Sequence, residues 1–160
     1  MIYLDYQATT PLAPEAREAM LRWLQGEGEG DGFANPASTH KAGRAAAAAV
    51  EVARDQVAAL LPKGGRVFFT SGATEALNWA LLRGAEAMPG GVAGLSIEHA
   101  ASLQCLERLN ATILPVDGAG LALAPDDALI PEGGIVAAML VNNEVGTIQP
   151  VADFAAAAHA

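Results

Sequence analysis

The sequence predicts an α/β fold, a mainly parallel sheet flanked by helices. Three observations carry this expectation. From residue 67 onward, short apolar runs alternate with helix-forming stretches, the pattern of strands joined by helical crossovers. The run Ile135-Val136-Ala137-Ala138-Met139-Leu140-Val141 has no polar alternation, as expected of a parallel strand covered on both faces. Three of the apolar runs also end in polar sequences, where an open α/β sheet binds its ligands.

The elements follow in order. Ile2-Tyr3-Leu4 reads as a short strand leading into the loop Asp5-Tyr6-Gln7-Ala8-Thr9-Thr10-Pro11. Pro14 sits where a helix begins, and a helix-forming stretch continues to Leu24. Residues 26–32 are a Gly/Glu/Asp stretch without apolar period, expected as a mobile loop or linker. Asn35-Pro36-Ala37-Ser38 makes a turn and a cap, and a long helix is expected over 39–61, favoured by the alanines at 45–49. Pro62-Lys63-Gly64-Gly65 ends it. Val67-Phe68-Phe69-Thr70 reads as a buried strand, followed by a helix over 73–83. A strand over 92–97, a helix over 99–109 and a short strand over 112–116 come next. An irregular link through Asp126-Asp127 leads to the apolar run at 135–141, and the loop 142–150 opens the last helix at Val151. Residues 1–34 are expected as an N-terminal segment and 35–160 as an incomplete α/β domain, with no internal repeat.

Composition narrows the function. The 160 residues carry 52% hydrophobic content, enough for a real core. The net charge of -9, without any Lys/Arg cluster, disfavours nucleic acid and anionic membranes as partners. Every apolar run breaks within about a dozen residues, too short for a membrane span. Met1-Ile2-Tyr3-Leu4-Asp5 has no signal-peptide pattern, and a single cysteine, Cys105, fits a reducing compartment. A cytoplasmic protein is expected. Cys105 lies on an apolar helix and is expected as a packed core thiol. His40, His99 and His159 fall in different segments and no Cys/His pair has ligand spacing, so no metal site is expected.

The candidate site is built at strand ends. Thr70-Ser71-Gly72-Ala73-Thr74 joins a strand to a helix start, where free N–H groups and the positive helix end suit a phosphate-bearing ligand. The simpler reading is that Ser71 N-caps the helix. The strand over 92–97 ends in Glu98-His99, and the run 135–141 ends in Asn142-Asn143-Glu144. If these strands are parallel neighbours, a phosphate cradle, an imidazole and a carboxamide pair converge on one crevice. Taken singly, His99 reads as a cap or surface histidine and Asn142-Asn143 as turn chemistry.

Several motifs in one order then point further. Tyr3-Leu4-Asp5-Tyr6-Gln7-Ala8-Thr9-Thr10-Pro11, Asn35-Pro36-Ala37-Ser38 with His40 and Gly43, Phe69-Thr70-Ser71-Gly72-Ala73-Thr74-Glu75, Glu98-His99 and Val141-Asn142-Asn143-Glu144-Val145-Gly146 together resemble the cysteine desulfurases. These are pyridoxal 5'-phosphate enzymes of the class V aminotransferase family, of the nitrogenase-associated and iron–sulfur-cluster type. The resemblance covers essentially the whole sequence and corresponds to roughly the first two-fifths of such an enzyme, the N-terminal part of a fold-type I large domain.

The resemblance implies roles. Ala73 and Thr74 match the positions that hold the cofactor phosphate. His99 matches the histidine that stacks on the pyridine ring and assists proton transfer, the one catalytic residue expected here. Asn143 matches the asparagine that hydrogen-bonds the cofactor's phenolic oxygen. Ala8 and Thr9 match a loop near the active site, and His40 and Gly43 match a structural helix-start pattern. The family's Schiff-base lysine, the aspartate and glutamine beside the ring, and the persulfide-forming cysteine have no counterpart in these residues. Neither Lys41 nor Lys63 has the lysine's sequence context, and Cys105 matches a helix position. The resemblance therefore implies L-cysteine as substrate, L-alanine and persulfide sulfur as products, and an iron–sulfur scaffold protein as sulfur acceptor. It also implies a dimer or a complementary C-terminal chain, and a chain inactive by itself. A selenocysteine lyase, or a non-catalytic scaffold binding the cofactor or a desulfurase subunit, carries the same residues.

Overall fold

The structure is a computed structural model that describes residues 2–6, 8–24, 33–62, 64–125 and 129–159. The expected linker at 26–32, Lys63 in its turn, Gln7 in the N-terminal loop and the link at Asp126-Asp127 lie outside the described residues. The chain divides into two compact units, Met1–Phe69 and Thr70–Ala160.

The first unit is helical. Residues 2–4 form no strand. The Tyr3 hydroxyl instead donates to the carbonyls of Asp5 and Thr9, which ties the N-terminal loop back on itself. Helix α1 spans Pro14–Leu24 and begins at the proline, whose fixed φ and missing N–H suit that position. Helix α2 spans Lys41–Ala58. Its cap is His40 rather than Ser38: the imidazole Nδ1 accepts from the Gly43 N–H at 3.2 Å. Asn35 makes the preceding turn, its side chain accepting from Ala37 N–H at 2.9 Å and its carbonyl from Ser38 N–H at 2.9 Å. The helix start presses on this turn, so that a Cβ on Gly43 would lie 2.3 Å from the Ser38 carbonyl oxygen. His40 and Gly43 are thus structural, as expected.

Val67-Phe68-Phe69-Thr70 departs from expectation. It joins no ladder, and Phe68 and Phe69 are about half exposed (56% and 51%). A strand exists only where another backbone takes its N–H and C=O groups, and no described segment pairs with this one. The Arg54 guanidinium serves the segment instead, donating to the Val67 carbonyl and lying 5.2 Å from the Phe69 ring centroid.

The second unit carries the sheet. A helical stretch runs as α3 (Ala73–Asn78), a π-helical turn (Trp79–Arg83) and α4 (Gly84–Ala87), where an uninterrupted helix to 83 was expected. Strand β1 (Val92–Leu95), helix α5 (Ala100–Arg108) and strand β2 (Thr112–Leu114) then form a parallel crossover unit. Strand β3 (Ile135–Ala137) pairs in parallel on the other side of β1, giving the order β2-β1-β3, and helix α6 (Val151–His159) follows. Every residue of β1 is buried, which explains its unbroken apolar sequence. Gly94 admits α5 closely: a Cβ there would lie 2.4 Å from Leu106 Cδ1. Ala93, Leu95, Leu114, Ala122 and Phe154 form the core, with Val136 and Ile97 packed against it. Burying Leu95 or Phe154 contributes about 1.5–3 kcal/mol each. Cys105 is buried on α5, as the sequence predicts.

Candidate functional site at the carboxyl ends of the strands

The turn before α3 is organised by one carboxylate. Glu75 Oε2 accepts from both the Ser71 N–H and the Ser71 hydroxyl, each at 2.6 Å. These two bonds, the hydroxyl's first, hold the Glu75 carboxyl below its ordinary value of 4.5. Ser71 is therefore not the N-cap. That position is Gly72, which offers no side-chain acceptor, and whose carbonyl accepts from Ala76 N–H at 3.1 Å. The N–H groups of Ala73 and Thr74 have no acceptor among the described residues, and they sit at the positive end of the helical stretch. Helix α3 packs against α5.

His99 is the N-cap of α5. Its Nδ1 accepts from Ala101 N–H at 3.1 Å, and its carbonyl accepts from Ser102 and Leu103 N–H at 2.8 and 3.0 Å. Because Nδ1 is an acceptor, the neutral ring carries its proton on Nε2. The residue is exposed, and Nδ1 is the ring nitrogen that builds the helix.

The two asparagines divide their work. Asn142 is buried: its Nδ2 donates to the Ile97 carbonyl at 2.9 Å, and its Oδ1 accepts from Glu144 and Val145 N–H at 2.8 and 2.9 Å. Asn143 is exposed, and its Nδ2 donates to Glu144 Oε1 at 2.9 Å. Beside this, the buried Glu98 accepts at Oε1 from the Met139 N–H at 2.5 Å. The loops after β1 and β3 are thus joined twice, by Glu98–Met139 and by Asn142–Ile97. His99 and Asn143 are each adjacent to a joining residue, so both lie at the carboxyl end of the sheet. Ala73 and Thr74 stand on α3, linked to His99 only through the packing of α3 on α5, and no hydrogen bond joins the three groups among the described residues.

Gln149 escaped the sequence reading. It is buried, with Oε1 accepting from Ala122 N–H at 2.7 Å and Nε2 donating to the Gly120 carbonyl at 2.8 Å, so it fastens the far side of the 142–149 loop. Its only sequence signal is a lone amide directly before the Pro150 that opens α6.

The chain is 40% identical over 162 residues to the cysteine desulfurase IscS of Dictyoglomus turgidum, covering 94% of this chain and 40% of that protein. It is 42% identical over 166 residues to a cysteine desulfurase of Sinorhizobium fredii, covering 96% of this chain and 42% of the relative. Among solved structures, a NifS-like protein superposes with a TM-score of 0.83 at 32% identity, covering 98% of this chain and 45% of the other. The chain thus spans about two-fifths of the length of these curated relatives. The family model for aminotransferase class-V matches residues 2–160, and the chain belongs to that family of pyridoxal 5'-phosphate-dependent enzymes.

Proposed function

We propose that these residues form the N-terminal, cofactor-holding part of a cysteine desulfurase, which converts L-cysteine to L-alanine and enzyme-bound persulfide sulfur. The supporting observation is the double link between the loops after β1 and β3, the loops that carry His99 and Asn143 at the carboxyl end of the sheet. The donor set fits pyridoxal phosphate. Two uncapped N–H groups at a helix start suit its phosphate dianion, an exposed imidazole suits its ring, and an exposed carboxamide N–H suits its phenolic oxygen.

Bound pyridoxal phosphate supplies an electron sink for the substrate's Cα. Ala73 and Thr74 would hold the phosphate through backbone N–H groups, with the Thr74 hydroxyl as a further donor. His99, oriented by the Nδ1 bond to Ala101 N–H, would meet the pyridine ring and hold a movable proton at Nε2. Asn143 would offer its Nδ2 to the phenolic oxygen. In the complete reaction the substrate's C–S bond breaks, a separate enzyme thiol takes the sulfur as persulfide, and the carbon gains the proton, so L-cysteine and thiol give L-alanine and persulfide. Cys105 is buried among the core side chains and is not that thiol. The sulfur then passes to an iron–sulfur scaffold protein in the cytoplasm. A dimer, or a complementary chain bearing the later residues, completes the site.

Equilibrium dialysis of pyridoxal phosphate against the 160-residue chain tests the cofactor reading. Saturable one-to-one binding is expected, weakened about tenfold in His99→Ala and in Asn143→Ala, the scale of one aromatic or polar contact. Absence of saturable binding, or unchanged affinity in both variants, overturns it. Incubated with L-cysteine, the 16.3 kDa chain alone is expected to form no alanine, because neither Lys41 nor Lys63 has the family's lysine context.

A further inference from the structure

We propose that Glu98 and Asn142 are positioning residues, a two-point clamp that makes the loops after β1 and β3 move as one body. This rests on the cofactor reading only for its functional consequence. The clamp itself is drawn from the hydrogen bonds.

Both side chains are buried while their sequence neighbours His99 and Asn143 are exposed. In each pair, therefore, one residue faces inward and fixes the backbone while the next faces the site. The bonds are reciprocal. Glu98, on the β1 loop, reaches the backbone of the β3 loop at Met139 N–H, and Asn142, on the β3 loop, reaches the backbone of the β1 loop at Ile97 C=O. Either bond alone is a hinge. Two bonds from opposite sides fix the loops against rotation as well as separation.

Asn142 adds a third function through Oδ1. By accepting from Glu144 and Val145 N–H, it folds the chain around Asn143, whose own backbone direction is then set. The Gly146 N–H closes the same turn on the Asn142 carbonyl at 3.0 Å, and Asn142 N–H donates to Thr147 C=O at 2.9 Å. All of Asn142's polar groups are thereby used inside the protein, which leaves it none to offer a ligand. Glu98 accepts from the partly buried Met139 N–H, and an amide stripped of its acceptor away from water is costly to leave unpaired. A group that supports a site in this way is as consequential for geometry as the groups that touch the ligand.

The clamp makes a prediction that a merely local role does not: loosening one loop must loosen the other. Hydrogen–deuterium exchange on the cofactor-free chain reads this directly. In Glu98→Ala, exchange at the Glu144 and Val145 amides, on the opposite loop, is expected to rise about fivefold, a fraction of the free energy of one buried hydrogen bond. In Asn142→Ala, exchange at the Ala101 amide under the His99 cap is expected to rise by a similar factor. Glu98→Gln keeps an oxygen acceptor for Met139 N–H and is expected to restore wild-type exchange. Leu114→Ala, which empties part of the core at β2, serves as a destabilised control and is expected to leave the ratio of exchange between these loops and β1 unchanged.

The same variants carry the functional readout. Glu98→Ala and Asn142→Ala are expected to weaken pyridoxal phosphate binding about tenfold, with Glu98→Gln within about twofold of wild type. Exchange that rises only on the mutated loop overturns the clamp, whether or not the cofactor binds. Wild type failing to bind the cofactor while cross-loop exchange responds as expected removes the proposed function and supports the clamp.

Discussion

Glu75 answers, at the scale of one residue, how a helix start can be ordered and still leave donors for an anion. Its carboxylate takes both donors of Ser71, so Ser71 is spent on the turn, while Ala73 and Thr74 keep their N–H groups. The Ser71 hydroxyl and N–H lower the Glu75 pKa, so the sign is that of a carboxylate favoured in the folded state. The order it confers is present above the ordinary glutamate range and is lost as pH falls through the depressed folded value. Solvent exposure keeps the effect small. Carbon-13 titration is expected to place Glu75 below the ordinary glutamate value of 4.5, and Ser71→Ala to move it back up, because the hydroxyl bond is the larger cause. A Glu75 midpoint at or above that value in the unsubstituted chain is the contrary result. Histidines show the same economy twice: His40 and His99 each cap a helix through Nδ1, yet only His99 stands at a strand end. Residue type and local pattern do not distinguish them, and the strand before His99 does.

Helices and parallel strands were readable where a single property of the sequence decided them. Helix α1 was legible because Pro14 fixes its start, whereas the unbroken apolar run at 135–141 pairs only over Ile135–Ala137 and is half-buried there, the place buried on both faces being taken by β1. Val67-Phe68-Phe69-Thr70 has the same local character as β1 and forms no ladder, since pairing is a property of two segments and composition records only one. The π-helical turn at Trp79–Arg83 was equally illegible, because one extra residue in a helical turn leaves no mark on propensity. At the candidate site, polar pairs at strand ends marked the place, but which member of each pair faces inward depends on loop geometry. Gly43 shows how packing overrides propensity within α2. Gly43→Ala would gain about 1 kcal/mol of helix propensity. The new Cβ would stand 2.3 Å from the Ser38 carbonyl oxygen and 2.9 Å from that of Asn35, both backbone atoms that cannot swing away. Overpacking of this kind costs about 1–3 kcal/mol or more, so the clash wins. Thermal denaturation followed by circular dichroism is expected to show a lower Tm for Gly43→Ala, and an unchanged or higher Tm means that the turn yields.

Across the whole molecule, the sheet and the surface point to association. With the order β2-β1-β3, each outer strand has one edge without a described partner, and unpaired edges invite further strands. Large apolar side chains are also exposed, Phe68, Leu140, Val145 and Ile148 each by more than half. Opposing this, a net charge of -9 makes copies of the chain repel one another. The two effects respond differently to salt. At about 0.15 M ionic strength the Debye length is near 8 Å, and at 1 M about 3 Å, so added salt removes the repulsion and leaves apolar contact intact. Sedimentation velocity on the 160-residue chain is therefore expected to show larger species as protein concentration rises, and more of them at 0.5 M than at 0.05 M sodium chloride. Complexes held by ion pairs shrink as salt is added. A chain that stays monomeric at both salt concentrations means that its apolar side chains are shielded in solution, and the edge argument then fails. Association that strengthens with salt instead identifies apolar surface as what a partner must cover, whether that partner is a second copy or a different chain.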